Sequence, residues 1–354
     1  MKRILVTGGV GFIGSHTCAC LIENGYEICV LDSLIHSDIR SLSKIKQIFS
    51  GKNINFNDKL NFFKGDLRDK KFLDSVFKSS INEYKPIDGV IHFAGLKAVA
   101  ESVINPIKYW ENNVLGSLNL IQSMDNYNCK TIVFSSSATV YGDTSEKLIS
   151  ETSKINPINP YGSTKFAVEN LLNDIYKKQS SGWKIAILRY FNPIGAHPSG
   201  FIGENPLQKP NNIFPIIINA AYEKVKLQVF GGDWPSHDGT CIRDYIHVMD
   251  LAEGHFKALD YLFNNDSQLI KLNLGTGCGH SVLDLIKTFE KVNSIKVPFE
   301  ISKRREGDVF KLVANNEKAF KTIDWLPKRS LEEMCRDGWN WKMMNPIGFQ
   351  NNLN

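Results

Sequence analysis

Tyr161 and Lys165 stand four residues apart in Tyr161-Gly162-Ser163-Thr164-Lys165, and their side chains are chemically complementary. On a helix, positions four apart share a face, so a phenol and an ammonium at this spacing enter one site. Tyrosine ionises near ~10 in water, and a neighbouring lysine cation together with an oxidised nicotinamide is expected to favour the phenolate. Such a phenolate takes a proton from a substrate hydroxyl while hydride leaves the carbon bearing it. Hydride transfer needs an acceptor, and the N-terminus offers a place for one. Gly8, Gly11 and Gly14 follow directly on the apolar run Ile4-Leu5-Val6. A glycine-rich turn from strand to helix lets backbone N–H groups approach a pyrophosphate, and the helix start adds positive potential. Phe12, Ile13, Thr17 and Leu21 suit the buried face of that helix. Eighteen residues beyond Gly14, the apolar stretch Ile28–Leu31 ends in Asp32. A carboxylate there accepts the adenosine ribose hydroxyls and repels a 2′-phosphate, which favours NAD over NADP.

The elements that must position these groups read as an α/β, doubly wound parallel sheet of Rossmann type. Apolar runs alternate with helical patterns through the first half of the chain: Leu60–Lys64, Val90–Phe93, Thr131–Phe134 and Lys184–Leu188 follow the first two. Small or polar residues follow each run, at the sheet end where ligands bind in open α/β folds. Residues 37–59 read as a polar, lysine-rich helix and loop. Residues 1–192 are expected to form the dinucleotide-binding domain and 193–354 a smaller C-terminal α+β substrate domain. Within the latter, 213–226 reads as helical and Leu227–Phe230 as β-like, while about 237–262 is expected to pack back onto the first domain. Tyr222 and Lys226 repeat the four-residue spacing, but they follow Ile216-Ile217-Ile218 and read as packing or surface positions. Leu272–Gly277 is a second glycine turn without the spacing of the first, and Ser281 beyond it suits a helix N-cap.

Composition excludes several classes. The 354 residues carry a formal net charge of +5 and are 42% hydrophobic, as in ordinary soluble proteins. Basic residues are scattered apart from Lys303-Arg304-Arg305, so no nucleic-acid partner is expected. No apolar run approaches the length of about 18 residues that spans a membrane. The first strand begins at Ile4, so no cleaved leader is expected and a cytoplasmic location is. Seven cysteines form no CxxC pair and eight histidines show no ligand spacing, so free thiols and no metal are expected.

Long motifs in order carry a resemblance over the chain through residue 341. They are Thr7–Ser15, His92–Val99, Phe134–Gly142, Tyr161–Lys165 and Leu188–Gly200, then Gly239-Thr240, Arg243–Leu251 and Arg305-Glu306-Gly307-Asp308. On these the sequence resembles the extended short-chain dehydrogenase/reductase family, nearest its nucleotide-sugar epimerases. The resemblance implies a tightly held NAD that is reduced and reoxidised within one cycle, and inversion of C4 of a UDP-hexose through a 4-keto sugar. By matching position, Tyr161 is the base, Ser137 hydrogen-bonds the same oxygen and Lys165 holds the nicotinamide ribose. Cofactor contacts are implied for Gly8, Gly11, Phe12, Ile13, Gly14, Asp32 and Ser37. Further along they fall to Asp66, Leu67, Phe93, Ala94, Gly95, Lys97, Asn112 and Tyr190. The UDP-sugar is implied to meet Lys97, Asn192, Asn212, Ile213 and Phe230, with Arg243, Arg305, Asp308 and Leu312 beyond them. Two arginines suit a diphosphate because guanidinium donates in pairs. For Arg243, a structural pairing with Asp244 is the alternative. Family members also dimerise, and residues 105–125 and 161–178 are the candidate homodimer helices.

Two departures refine the expectation. Dehydratases of the family carry an Asp-Glu pair where this chain has Ala138 and Thr139, so the acid for elimination is missing. Hexose-restricted members place a Tyr at the position of Leu312, so the pocket here is expected to admit an acetamido group at C2. A UDP-glucuronate epimerase, a net dehydrogenase and a non-catalytic NAD-binding regulator are the competing readings.

Overall fold

Uninterrupted apolar strands form where both faces of a parallel sheet are covered by helices. The computed structural model shows this arrangement; it describes residues 1–51, 56, 59–83, 85–178, 182–208, 210–305 and 307–349. Part of the lysine-rich 37–59 stretch, and Glu306, lie outside the described residues. The strands in chain order are β1 Arg3–Thr7, β2 Glu27–Asp32, β3 Leu60–Lys64, β4 Gly89–His92, β5 Thr131–Ser137, β6 Lys184–Tyr190 and β7 Asn192–Ile194. They continue with β8 Leu227–Phe230, β9 Ile242–Arg243, β10 Tyr245–His247, β11 Gln268–Leu274, β12 His280–Ser281, β13 Phe299–Ser302 and β14 Lys311–Leu312. The helices are α1 Phe12–Glu23, α2 Arg40–Ile48, α3 Lys70–Asn82, α4 Val99–Ile104, α5 Pro106–Tyr109 and α6 Gly116–Asn126. After them come α7 Pro160–Lys177, α8 Ile213–Glu223, α9 Val248–Asn264, α10 Val282–Asn293, α11 Glu317–Ile323 and α12 Leu331–Met344.

Seven strands pair in parallel in the order β3-β2-β1-β4-β5-β6-β11. Every residue of β1, β2 and β4 is buried. Two apolar layers, one on each face, account for that burial. One joins Ile4, Val6, Leu21 and Ile22 to Leu251, Leu259 and Leu262 of α9; the other joins Leu5, Phe77, Leu120, Phe134 and Leu172. The seventh strand, β11, comes from the part of the chain beyond residue 192 and zips onto β6 from Gln268↔Lys184 to Leu274↔Tyr190. The sheet thus draws its edge strand, and α9 on its face, from the C-terminal half. Their apolar side chains are buried against the sheet, α1 and α11.

Elements beyond β6 other than β11, α9 and α11 form a smaller unit with its own core, Phe214, Ile217, Leu285, Phe289, Met334 and Cys335 among others. Its short sheets are β7-β10, β12-β9-β14 and β8-β13. Ser281 caps α10 in a reciprocal box with Asp284, and Ser330 caps α12 in the same way with Glu333. All seven cysteines are free, and only Cys278 is exposed. No helix among the described residues is long and apolar enough to cross a membrane.

Candidate active site

The carboxyl ends of β1, β2, β4, β5 and β6 form the edge where the strand order turns about β1 and β4. There the glycine turn leads from β1 to α1. Gly8 adopts φ +69°, and a Cβ on it would lie 2.7 Å from Ala94 N. A Cβ on Gly14 would stand 2.7 Å from Gly9 Cα, so the first turn of α1 lies directly on the loop. Gly11 is the N-cap of α1 and no side chain caps that helix, so its first amides face the cleft without a protein acceptor. Phe12 and Ile13 occupy the first turn beside them. Asp32 ends β2 and is buried; its carboxylate accepts from Val10 N at 3.2 Å, Leu34 N at 2.9 Å and the Ser37 hydroxyl at 2.7 Å. The loop, the uncapped helix start and this carboxylate together fit a dinucleotide with a free 2′-hydroxyl.

Around that cradle the other matched residues take their places. Leu67 is buried and its carbonyl accepts from Asn119 Nδ2, while Asp66 pairs with Arg68 at 2.7 Å. Phe93 packs its ring 4.7 Å from that of His255. Ala94 N donates to Thr7 O, and a Cβ on Gly95 would come within 3.8 Å of Lys165 Nζ. Asn112 lies in a π-helical turn, Trp110–Leu115, with its amide on Lys108 O. Tyr190 is buried, and its hydroxyl is 2.6 Å from His255 Nε2. That hydroxyl is therefore held inside the core.

Ser137, Tyr161 and Lys165 meet at the end of β5 and the start of α7. Asn159 caps α7 by accepting from Gly162 N, and Pro160 fits the first helical position, so Tyr161 and Lys165 fall in the opening turns. Lys165 is buried, donates to Ser135 O at 2.8 Å and stands 5.9 Å from the centre of the Tyr161 ring. Burial pulls its pKa down to about 8, with Glu169 working in the opposite direction. One of its three N–H groups is engaged on Ser135, which leaves two for a ligand. The Ser137 oxygen accepts from Thr139 N and Thr139 Oγ1, so its own proton is available to donate.

The surroundings of Tyr161 in the chain itself act in two directions. Burial pushes the Tyr161 phenol up from its ordinary value, and only the Ser137 hydroxyl pulls it back. Lys165 donates to Ser135 O and not to the phenol.

Across the cleft, Asn192 opens β7, and its backbone donates to Asp244 O. Asn212 occupies the N-cap position of α8 without a side-chain capping bond, so Ile213 opens that helix; Asn212 Nδ2 donates to Glu204 Oε1 at 3.1 Å. Lys97 Nζ lies 3.0 Å from the same oxygen. Phe230 ends β8 with the Arg305 guanidinium 5.5 Å above its ring, and Arg305 pairs with Asp308 at 2.8 Å. Arg243 donates to Ile242 O at 2.9 Å and does not pair with Asp244. Asp244 is buried and accepts from Thr276, Gly277 and Ala314, so the alternative of an Arg243–Asp244 pair is overturned. Burial raises the Cys241 thiol, Arg243 and Arg305 pull it down and Asp308 pushes it up. Leu312 pairs in register with Arg243 and packs against the apolar group that contains Ala138 and Phe191. Tyr222 is 41% exposed, and α8 ends at Glu223, short of Lys226, so the second tyrosine–lysine spacing never shares a helix.

Three supporting groups escaped sequence reasoning. Asn113 ties the site together: Oδ1 accepts from Leu96 N, and Nδ2 donates to Leu96 O and to Thr164 Oγ1, which itself donates to Tyr161 O. Glu169 and Arg189 form a buried bidentate pair below Lys165, with Ser136 donating to the same carboxylate. Glu204 joins Lys97 to Asn212. The π-helical turn that aims Asn113 inward is a local geometry common at functional sites, and it has no sequence signature.

The comparisons with known proteins agree with this geometry. A family model described as GDP-mannose 4,6 dehydratase matches residues 5–338. UDP-glucose 4-epimerase of Bacillus subtilis is 49% identical over 348 residues, covering 98% of each chain. Among solved structures, UDP-glucose 4-epimerase of Stenotrophomonas maltophila, with bound NAD and formylated UDP-arabinopyranose, superposes with a TM-score of 0.91. It is 41% identical and covers 97% of this chain and 98% of its own. The Bifidobacterium longum enzyme in complex with NAD+ and UDP has a TM-score of 0.90, 40% identity and coverage of 98% and 100%. With this fold, this cleft and this identity over nearly its whole length, the chain belongs to the UDP-glucose 4-epimerase family.

Proposed function

We propose that this chain inverts C4 of a UDP-hexose, interconverting UDP-glucose and UDP-galactose with NAD held in the cleft. The observation that carries the reading is the convergence of Ser137, Tyr161 and Lys165 beside an uncapped glycine-turn helix, with Ala138 and Thr139 where elimination would need acids. The lack of that acid pair separates the chain from the dehydratase activity for which the family model is described.

The glycine turn would hold the pyrophosphate, Asp32 the adenosine ribose, and the two spare donors of Lys165 the nicotinamide ribose. NAD, when bound, supplies a reversible hydride acceptor and, in its oxidised form, a positive charge that favours the phenolate of Tyr161. Tyr161 takes the proton of the C4 hydroxyl while Ser137 donates to that same oxygen. Arg243 and Arg305 keep the diphosphate fixed, and the 4-keto sugar turns about that tether to present its other face. Tyr161 then returns the proton.

Leu312 lies on a strand beside Arg243 and against Ala138, at the sugar end of this arrangement. A leucine there is smaller than the tyrosine of hexose-restricted relatives, so the N-acetylated UDP-hexose pair is also a substrate. Turnover of the acetylated pair is expected within about a hundredfold of the plain pair in kcat/KM, and Leu312→Tyr should widen that gap by on the order of 10²-fold. A thousandfold preference for the plain pair in the native chain would overturn the broader range.

We further propose a homodimer. Val103, Ile104 and Ile107 are 62%, 76% and 73% exposed, and with Trp110 and Leu115 they form an apolar face on α4, α5 and the π-helical turn beside α7. The direct test is incubation with UDP-galactose without added NAD, followed by separation of the nucleotide-sugars. Formation of UDP-glucose without net cofactor turnover supports the reading, whereas no interconversion sinks it. A monomeric mass by light scattering of the same sample would refute the dimer.

A further inference from the structure

His92 ends β4 and is buried between two hydroxyls, with Thr7 Oγ1 at 2.7 Å from Nδ1 and Ser117 Oγ at 2.8 Å from Nε2. Thr7 ends β1 directly before Gly8, so one edge of the imidazole touches the residue that leads into the glycine turn. Ser117 stands in the first turn of α6 and donates its hydroxyl proton to Asn113 O. A serine has a single proton to give, so towards His92 its oxygen accepts. That fixes the ring as the neutral Nε2–H tautomer and leaves Nδ1 to accept from Thr7. The line continues beyond Ser117: Asn113 Nδ2 donates to Thr164 Oγ1 at 3.0 Å, and Thr164 donates to Tyr161 O at 2.8 Å. Every donor from Thr7 to Tyr161 thus points the same way, out of the glycine turn and into the opening turn of α7. A charged imidazole would donate from both nitrogens and reverse the first link. Burial and the Lys165 ammonium oppose that charge, holding the His92 pKa down to about 3.

We propose that His92 is a positioning residue for the reaction: as a neutral Nε2–H donor to Ser117 it holds Asn113, and through Thr164 the backbone of Tyr161, in fixed relation to the glycine turn. The inference rests on reading Tyr161 as the base of a UDP-hexose 4-epimerase. In that reaction the proton and the hydride leave neighbouring atoms of one substrate, so the base needs a set distance from the element that holds the hydride acceptor. A displacement of about 1 Å in such an arrangement costs on the order of 10²-fold in rate. An apolar ring would fill the same space, but it would leave the Thr7 and Ser117 hydroxyls without their partner in the core.

The test measures kcat and KM for UDP-galactose in the native chain, His92→Gln, His92→Asn and Ser117→Ala. A glutamine amide reaches the place of Nε2 and keeps the donor to Ser117, whereas asparagine reaches only that of Nδ1 and loses it. His92→Gln should therefore keep kcat within about threefold of native, and His92→Asn should lower it by about 10–100-fold with KM nearly unchanged and NAD retained. Ser117→Ala leaves the imidazole in place and should lower kcat by about tenfold; adding it to His92→Asn should cost little more, because both break one line. This variant also decides the matter should His92→Asn fail to fold. A readout apart from turnover is nuclear magnetic resonance of isotope-labelled histidine ring nitrogens. The signal that His92→Gln removes should report a neutral Nε2–H ring across about pH 6 to 9. Equal kcat values in the glutamine and asparagine variants overturn the proposal, as do losses confined to KM, native turnover in Ser117→Ala, or a charged or Nδ1–H ring. A native chain inactive on UDP-galactose would instead overturn the epimerase reading itself, with the ring signal unaffected.

Discussion

Tyr161→Phe should retain NAD and convert UDP-galactose on the order of 10²–10⁴ times more slowly than the native chain. The substitution keeps the ring and removes only the hydroxyl. The α7 cap is untouched, because Asn159 accepts from Gly162 N and the bond from Thr164 reaches the backbone of residue 161. Nor does Ser137 replace the lost base, since a neutral serine hydroxyl holds its proton far more tightly than a tyrosine does. The pH profile carries the sharper signature. Burial raises the phenol and the charge of bound NAD opposes that rise, so the rate of the NAD-loaded enzyme on subsaturating substrate should rise with pH as the phenolate forms. In Tyr161→Phe that rise should vanish. Turnover near the native rate, or an unchanged pH dependence, would remove Tyr161 from the role of base.

Glu169→Ala should lower the free energy of unfolding by about 3–5 kcal/mol, measured by urea denaturation. Glu169 and Arg189 are 0% and 2% exposed in their side chains, and two hydrogen bonds join them, at 2.6 and 3.0 Å. Removing the carboxylate strands a guanidinium that cannot shed its charge, with the Tyr141 hydroxyl as a neutral acceptor. The pair itself need not be worth that much: replacing both members with apolar residues of similar volume should recover much of the loss. The same change reaches the active site. Glu169 raises the Lys165 pKa against the effect of burial, so its loss should leave less of the ammonium charged near pH 8. A fall in stability below about 1 kcal/mol would contradict the buried-pair account.

Much of this protein was legible in its residues, for a physical reason: local spacing decides local geometry. The glycines at 8, 11 and 14 mark the turn because a side chain at Gly8 or Gly14 would strike neighbouring backbone. Strands read correctly because two helical layers bury them on both faces, which writes an unbroken apolar run into the sequence. Tyr161 and Lys165 share a helix because four residues make about one turn, and Ser281 caps α10 because its partner Asp284 lies three residues away.

What tertiary structure alone decided concerns partners that lie far along the chain. Tyr190 gives its hydroxyl to His255, 65 residues on, and Lys97 meets Glu204 across 107 residues. Asp244 turns to Thr276 and Ala314 instead of its neighbour Arg243, and β11 crosses back to close the sheet against β6. The ionisation of Tyr161 belongs to this class too. Sequence places a lysine near it, but burial sets the sign of the shift, and the Lys165 ammonium turns to Ser135 O. Spacing along a helix fixes which side chains can meet; the free energy of a charge depends on everything packed around it, and only the folded chain assembles those surroundings.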